Sequence, residues 1–113
     1  MNAKERTARI RALNDRFRTI WDRSLGNFLV TPGIAALSEA TKSAVFVRVI
    51  TFNAFDEDND PHQEHDFGSF EIEGSRIFWK IDYYDPTLQF GSEDPVDPAK
   101  TTRVLTIMLA QEY

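Results

Sequence analysis

Both histidines of the chain fall in one short segment, Asp56-Glu57-Asp58-Asn59-Asp60-Pro61-His62-Gln63-Glu64-His65-Asp66-Phe67-Gly68, among six carboxylates. A core does not hold that many charges and a plain turn does not need them, so this segment is the first candidate for a site. Calcium is the first chemistry to weigh. Asp56, Asp58 and Asp60 match the first three ligand positions of an EF-hand loop, but Pro61 stands where that loop needs glycine and Phe67 where it needs a bidentate glutamate. An EF-hand is excluded, and a looser site for a hard cation stays open. A transition metal is the second. Two imidazoles with Asp60, Glu64 and Asp66 form a donor set suited to zinc or iron with open positions for water. Helix-borne zinc motifs bring their imidazoles together on one helical face, whereas His62 and His65 follow Pro61 in a loop. The opposing explanation is a loop that ties itself down. Asp and Asn bond their own backbone, Asn59-Asp60-Pro61 is a good turn, and His65 has a neighbouring carboxylate or Tyr83 as a partner. That accounts for the Asn, Pro and Gly better than for the density of negative charge.

Other chemistries have less behind them. There is no cysteine, no Gly-x-Ser-x-Gly elbow and no glycine-rich phosphate loop. Absence of cysteine removes disulfides and thiolate zinc sites and fits a reducing compartment, so a cytoplasmic location is expected. The N-terminus is charged within its first six residues and lacks an apolar run, so a secretory signal is not expected either.

The net charge of −5 conceals an asymmetry. Residues 1–53 carry nine Lys/Arg and four Asp/Glu, whereas residues 54–97 carry thirteen Asp/Glu and two Lys/Arg. Charge distributed in this way steers partners rather than folds. The arginine-rich first helix is one argument for nucleic-acid binding, but i,i+4 pairing with Glu5, Asp15 and Asp22 explains it and the low pI opposes a phosphate footprint. The acidic half suggests the reverse relation, a protein that engages a basic partner.

The elements that must position these residues follow from periodicity. One domain is expected from 113 residues. Ile10, Leu13, Phe17, Ile20 and Trp21 recur at helical spacing, which predicts a helix from about Asn2 to Leu25 stopped by Gly26. Phe28-Leu29-Val30 reads as a short edge strand, and Thr31-Pro32 opens a short helix burying Ile34 and Leu37. Residues 43–53 are rich in β-branched side chains and apolar on both faces, which predicts a central strand. Gly74-Ser75 reads as a two-residue hairpin turn, with Glu73 facing Arg76, Ile72 facing Ile77 and Phe70 facing Trp79. Ile77, Trp79, Ile81 and Tyr83 then point to the core. Phe78, Lys80, Asp82 and Tyr84 point away, where Phe78 and Tyr84 beside Asp82 and Asp85 form a recognition surface unless a helix or the N-terminal segment covers them. Residues 85–96 read as a polar loop, and Asp97-Pro98 starts a last, buried helix through Leu109. The expected fold is α+β, an antiparallel three- to four-stranded sheet with helices packed on one face, in the order α-α-β-β-β-α.

Asn59-Asp60-Pro61, Glu64-His65-Asp66-Phe67-Gly68, Trp79-Lys80-Ile81-Asp82-Tyr83-Tyr84-Asp85, Asp94-Pro95, Asp97-Pro98 and Arg103-Val104-Leu105-Thr106-Ile107-Met108-Leu109-Ala110 resemble domain-of-unknown-function family number 3768. The likeness runs from Asn14-Asp15-x-Phe17-Arg18 to Glu112-Tyr113. It implies a small, cytoplasmic bacterial protein common on mobile elements, and no catalytic residues. The family pattern places an aromatic and a glycine after Pro61, where this chain has His62-Gln63, so the resemblance removes His62 from any shared site. Two residue sets follow. A binding surface of Asp60, Glu64, His65, Asp66, Asp82, Tyr84 and Asp85 would engage a basic, nucleic-acid-handling protein without catalysis. Alternatively, Asp60, Glu64, His65 and Asp66 would hold a divalent cation in a metal-dependent enzyme. A third reading is an accessory protein that dimerises through Phe78 and Tyr84.

Overall fold

In the computed structural model, which describes residues 1–113, the first helix begins where the sequence caps it. Asn2 Oδ1 accepts from the Glu5 N–H, and Glu5 in turn accepts from the Asn2 N–H. Helix α1 spans Ala3–Thr19, shorter than the periodicity predicts. The chain leaves it by a tight turn in which the Asp22 N–H donates to the Phe17 carbonyl and Trp21 adopts a φ of 56°. Glycine usually fills that left-handed position. Trp21 carries a cost of about 1 kcal/mol there, offset by stacking on Phe28 at 3.8 Å. Gly26 opens strand β1 (Gly26–Val30) rather than stopping the helix, and its backbone lies so close to the Arg103 carbonyl that a Cβ would clash.

The remaining elements are α2 (Pro32–Ala35), α3 (Glu39–Thr51), β2 (Phe67–Ile72), β3 (Ser75–Tyr84) and β4 (Thr102–Leu109), with single 3-10 turns at Pro98–Lys100 and Ala110–Glu112. The four strands lie in the order β1-β4-β3-β2. The β1–β4 pair is parallel and the other two are antiparallel. The fold is α+β with a mixed sheet rather than a purely antiparallel one, and its order is α-β-α-α-β-β-β rather than α-α-β-β-β-α.

Three differences from the sequence reading have physical causes. Residues 43–51 belong to helix α3, not a central strand. Ser38 caps it through the Thr41 N–H, and Thr41, Val45 and Val49 repeat every four residues against the sheet, so tertiary burial outweighs the β-preference of valine. Residues 102–109 form β4, not a helix. Asp97 does cap a turn at Pro98, but only a 3-10 turn, and the apolar run that follows is a central strand buried on both faces. The hairpin turns at Glu73-Gly74, where φ is 49° and 80°, the pair of positive values that a type I′ turn requires. Pairing therefore moves by two residues, to Phe70 opposite Ile77 and Glu71 opposite Arg76. A shift of two leaves every side chain on its expected face.

One core cluster holds the molecule together. Phe17 of α1 and Val45 and Val49 of α3 pack on Ile77, Trp79, Ile81, Leu105 and Ile107, so both long helices cover the same face of the sheet. No helix is long and apolar enough to cross a membrane.

Candidate functional site

Helix α1 presents Asn14, Asp15 and Arg18 to the sheet and to the acidic loop, a grouping that i,i+3 and i,i+4 spacing places on one face. Arg18 Nη1 donates to the carbonyls of Val49 at 2.7 Å, Ile50 at 3.3 Å and Phe52 at 3.0 Å. A buried cation thereby satisfies the carbonyls at the end of α3. Its guanidinium stands 4.8 Å from the Trp79 ring centroid. Burial lowers its pKa, and Asp15 at 3.6 Å opposes that shift.

Arg103, the second buried guanidinium, has no carboxylate at ion-pair distance. Its charge passes instead along a chain of polar groups. Arg103 Nε donates to Asn14 Oδ1 at 2.7 Å, Asn14 Nδ2 donates to the Tyr83 hydroxyl at 2.8 Å, and that hydroxyl donates to Glu64 Oε1 at 2.7 Å. Arg103 Nη2 donates to the Pro95 carbonyl, and Nη1 has no partner. Burial and the bond to Glu64 push the Tyr83 phenol pKa up. Each bond in such a chain polarises the next, so Glu64 acts as a remote counter-ion.

The acidic loop closes over this network. Its tip holds itself, because Asp56 Oδ1 accepts from the N–H groups of Asp58 and Asn59. Asp60, 5% exposed, accepts from the His65 N–H at 3.0 Å. The His65 ring stacks on Phe55 at 3.8 Å, with Nδ1 2.8 Å from Asp15 and Nε2 3.7 Å from Asp60. His65 and Gln63 both take positive φ, which the surrounding bonds must hold in place. Asp66 has its pKa raised by burial and by the charges of Glu64 and Asp60. Gly68 then lets the chain pass against Trp79, whose indole a Cβ would strike.

An Asp–His pair is the geometry of a general base. Here, however, Nε2 faces a second carboxylate. The depression beside it, lined by Arg11, Phe55, Asp60 and Gln63 among others, contains no hydroxyl or thiol for the imidazole to activate. His62 stands apart, beside Lys4, Thr7 and Arg11. Asp60 and His65 meet, Glu64 is engaged by Tyr83, and no three His, Asp or Glu side chains converge closely enough to hold a metal ion.

The remaining predicted residues lie on the other face of the sheet. Lys80, Asp82 and Tyr84 of β3 and Val104, Thr106 and Met108 of β4 line a groove of about 660 Å³ that no helix covers. Leu29, Leu88, Glu112 and Tyr113 wall it. Lys80 Nζ is 2.8 Å from Asp82, a contact that raises the Lys80 pKa. Glu112 fastens the C-terminal turn by accepting from Thr31 Oγ1, the Gly33 N–H and the Leu109 N–H, which lowers its pKa. Phe78 is packed edge-on under Tyr113 and beside Phe67, so the C-terminus covers it. Asp85 binds its own turn through Thr87 and Gln89. The seven residues expected to share one surface are thus divided. Asp60, Glu64, His65 and Asp66 lie on the helical side, Asp82 and Tyr84 in the groove, and Asp85 at the end of β3. Sequence reasoning left out Asn14, Arg18 and Arg103. The available signal was an arginine on the inward phase of the strand, level with Tyr83.

The family model described as Protein of unknown function (DUF3768) matches residues 30–112. The chain belongs to that family. No curated protein and no solved structure matches it.

Proposed function

We propose that this member of the DUF3768 family is a non-catalytic binding module that takes a basic, partly apolar segment of a partner protein in the groove on the helix-free face of the sheet. The observation that carries the reading is the groove itself. Its floor of Val104, Thr106 and Met108 is apolar in the main, its wall exposes Leu29 and Leu88, and Asp82 and Glu112 supply negative charge. Concave, largely apolar surfaces with a few convergent polar groups are where ligands bind. The acid-rich stretch 54–97 favours a cationic partner, and nucleic-acid-handling proteins are rich in such segments. Asp56 and Asp60 serve the loop's own backbone and Glu64 is held by Tyr83, and the groove, rather than the 56–68 loop, is the contact surface in this proposal.

Titration with synthetic amphipathic peptides, one lysine-rich and one glutamate-rich, tests the reading by fluorescence anisotropy. The lysine-rich peptide binds, weakens as salt is raised, and loses about tenfold or more in affinity to Thr106→Arg. Equal binding of both peptides, or an unaffected Thr106→Arg variant, overturns it.

A further inference from the structure

We propose that the outer edge of β1 accepts an extended acidic segment of a partner protein as a fifth strand, with one large apolar side chain seated between β1 and α3. This surface meets the groove only at Leu29, and the proposal does not depend on the reading above. The phase of the backbone comes first. The Arg103 N–H donates to the Leu25 carbonyl and the Thr31 N–H donates to the Ile107 carbonyl. In a parallel pair, alternate residues face the neighbour, so Asn27 and Leu29 bond β4 while Phe28 and Val30 turn their N–H and C=O groups outward. Those outward groups are a ready template for another strand.

The two edges of the sheet are not equivalent. At β2 the outward Glu71 carbonyl accepts from Arg48 Nη1, and the Arg48 guanidinium stands over Phe70 at 4.7 Å, so a helix side chain guards that edge. Strand β1 carries no lysine, proline or inward charge. Leu29 is 54% and Val30 42% exposed. Beside this edge is a pocket of about 420 Å³ lined by Trp21, Phe28, Val30, Phe46, Ile50 and Arg23, among others. No carboxylate lines it. Arg23 is exposed and has no ion-pair partner, and the adjacent Asp22 is already paired with Arg16. Strand addition with a side-chain pocket for specificity is a known recognition mode, and the charge selects an acidic strand.

The probe is a short synthetic peptide alternating glutamate with valine and phenylalanine, with a lysine-for-glutamate version as control, added to the 15N-labelled full chain. The glutamate peptide shifts the Phe28 and Val30 amides and slows their hydrogen exchange, while the Thr106 amide stays unmoved. Val30→Pro removes an outward N–H without touching the β4 ladder and weakens binding about tenfold. Arg23→Glu, which leaves the backbone intact, reverses the preference between the two peptides. Shifts confined to the groove, equal binding of both peptides, no shift at saturating peptide, or a β1-mediated dimer by sedimentation each overturn the proposal.

Discussion

On the helical face of the sheet, Arg103, Asn14, Tyr83 and Glu64 bond one another, and Arg18 binds the end of α3. On the opposite face, Lys80, Asp82, Thr106 and Tyr84 line an open groove in which Lys80 pairs with Asp82 and Glu112 is held by Thr31, while Thr106 and Tyr84 make no side-chain hydrogen bond. Strand β3 supplies both sets from adjacent residues, Tyr83 inward and Tyr84 outward. The difference is one of dielectric. A buried polar group must find a partner or cost about 1–3 kcal/mol, so the helical face is committed to its own network. A wet groove carries no such obligation, and its polar groups remain available to a partner. Concentrated charge in a sequence therefore does not by itself mark a surface whose polar groups are free.

Breaking the network should give the largest effect. Asn14→Ala strands Arg103 Nε and removes a donor from Tyr83 and from the Glu64 carbonyl, so it lowers stability by about 3 kcal/mol in urea unfolding. His65→Ala removes the Asp15 contact and the Phe55 stack but leaves the helices intact. It costs about 1–2 kcal/mol, and amide exchange should rise in residues 56–66 before the rest of the chain. The comparison sharpens with Thr106→Arg, which changes stability by about 0.5 kcal/mol while removing peptide binding. A loss comparable to that of Asn14→Ala would mean that the two faces do not differ as described. The smallest effect concerns pH. The folded pKa of Asp66 is raised, so its ionised form opposes folding above the ordinary carboxylate range and that penalty disappears as pH falls through the folded pKa. Asp66→Asn is thus slightly stabilising at neutral pH, with a gain that vanishes in acid, measured by thermal unfolding across pH.

Two apolar runs show what was legible in the chain. Residues 43–51, dense in valine, are a helix, and residues 102–109, with Leu, Ile and Met, are a strand. Both are apolar on more than one side, and period cannot distinguish helix from strand in such a run. Local propensity points the wrong way in the first, where valine favours a strand, and the right way in the second, where Thr102, Val104, Thr106 and Ile107 are β-branched but follow a helix-start signal at Asp97-Pro98. Strand β4 must pass between β1 and β3, and α3 must cover them. Where polarity alternates, as in Ile77, Trp79, Ile81 and Tyr83, the faces follow from sequence even though the register moves by two. The acidic loop was legible as a place and not as a role. Its carboxylates Asp56 and Asp60 serve the loop's own backbone, and the half-buried His65 finds its closest carboxylate, Asp15, far away in the chain.

The amino-acid sequence by itself determined the α+β class, the presence of the first helix, the hairpin faces and the family, because these depend on local pattern and on contiguous motifs. Tertiary structure alone decided the parallel pairing of β1 with β4, the exchange of helix and strand in the two apolar runs, and the chain of bonds from Arg103 to Glu64. Those features join residues distant in sequence, and their stability comes from desolvation, which no local pattern encodes.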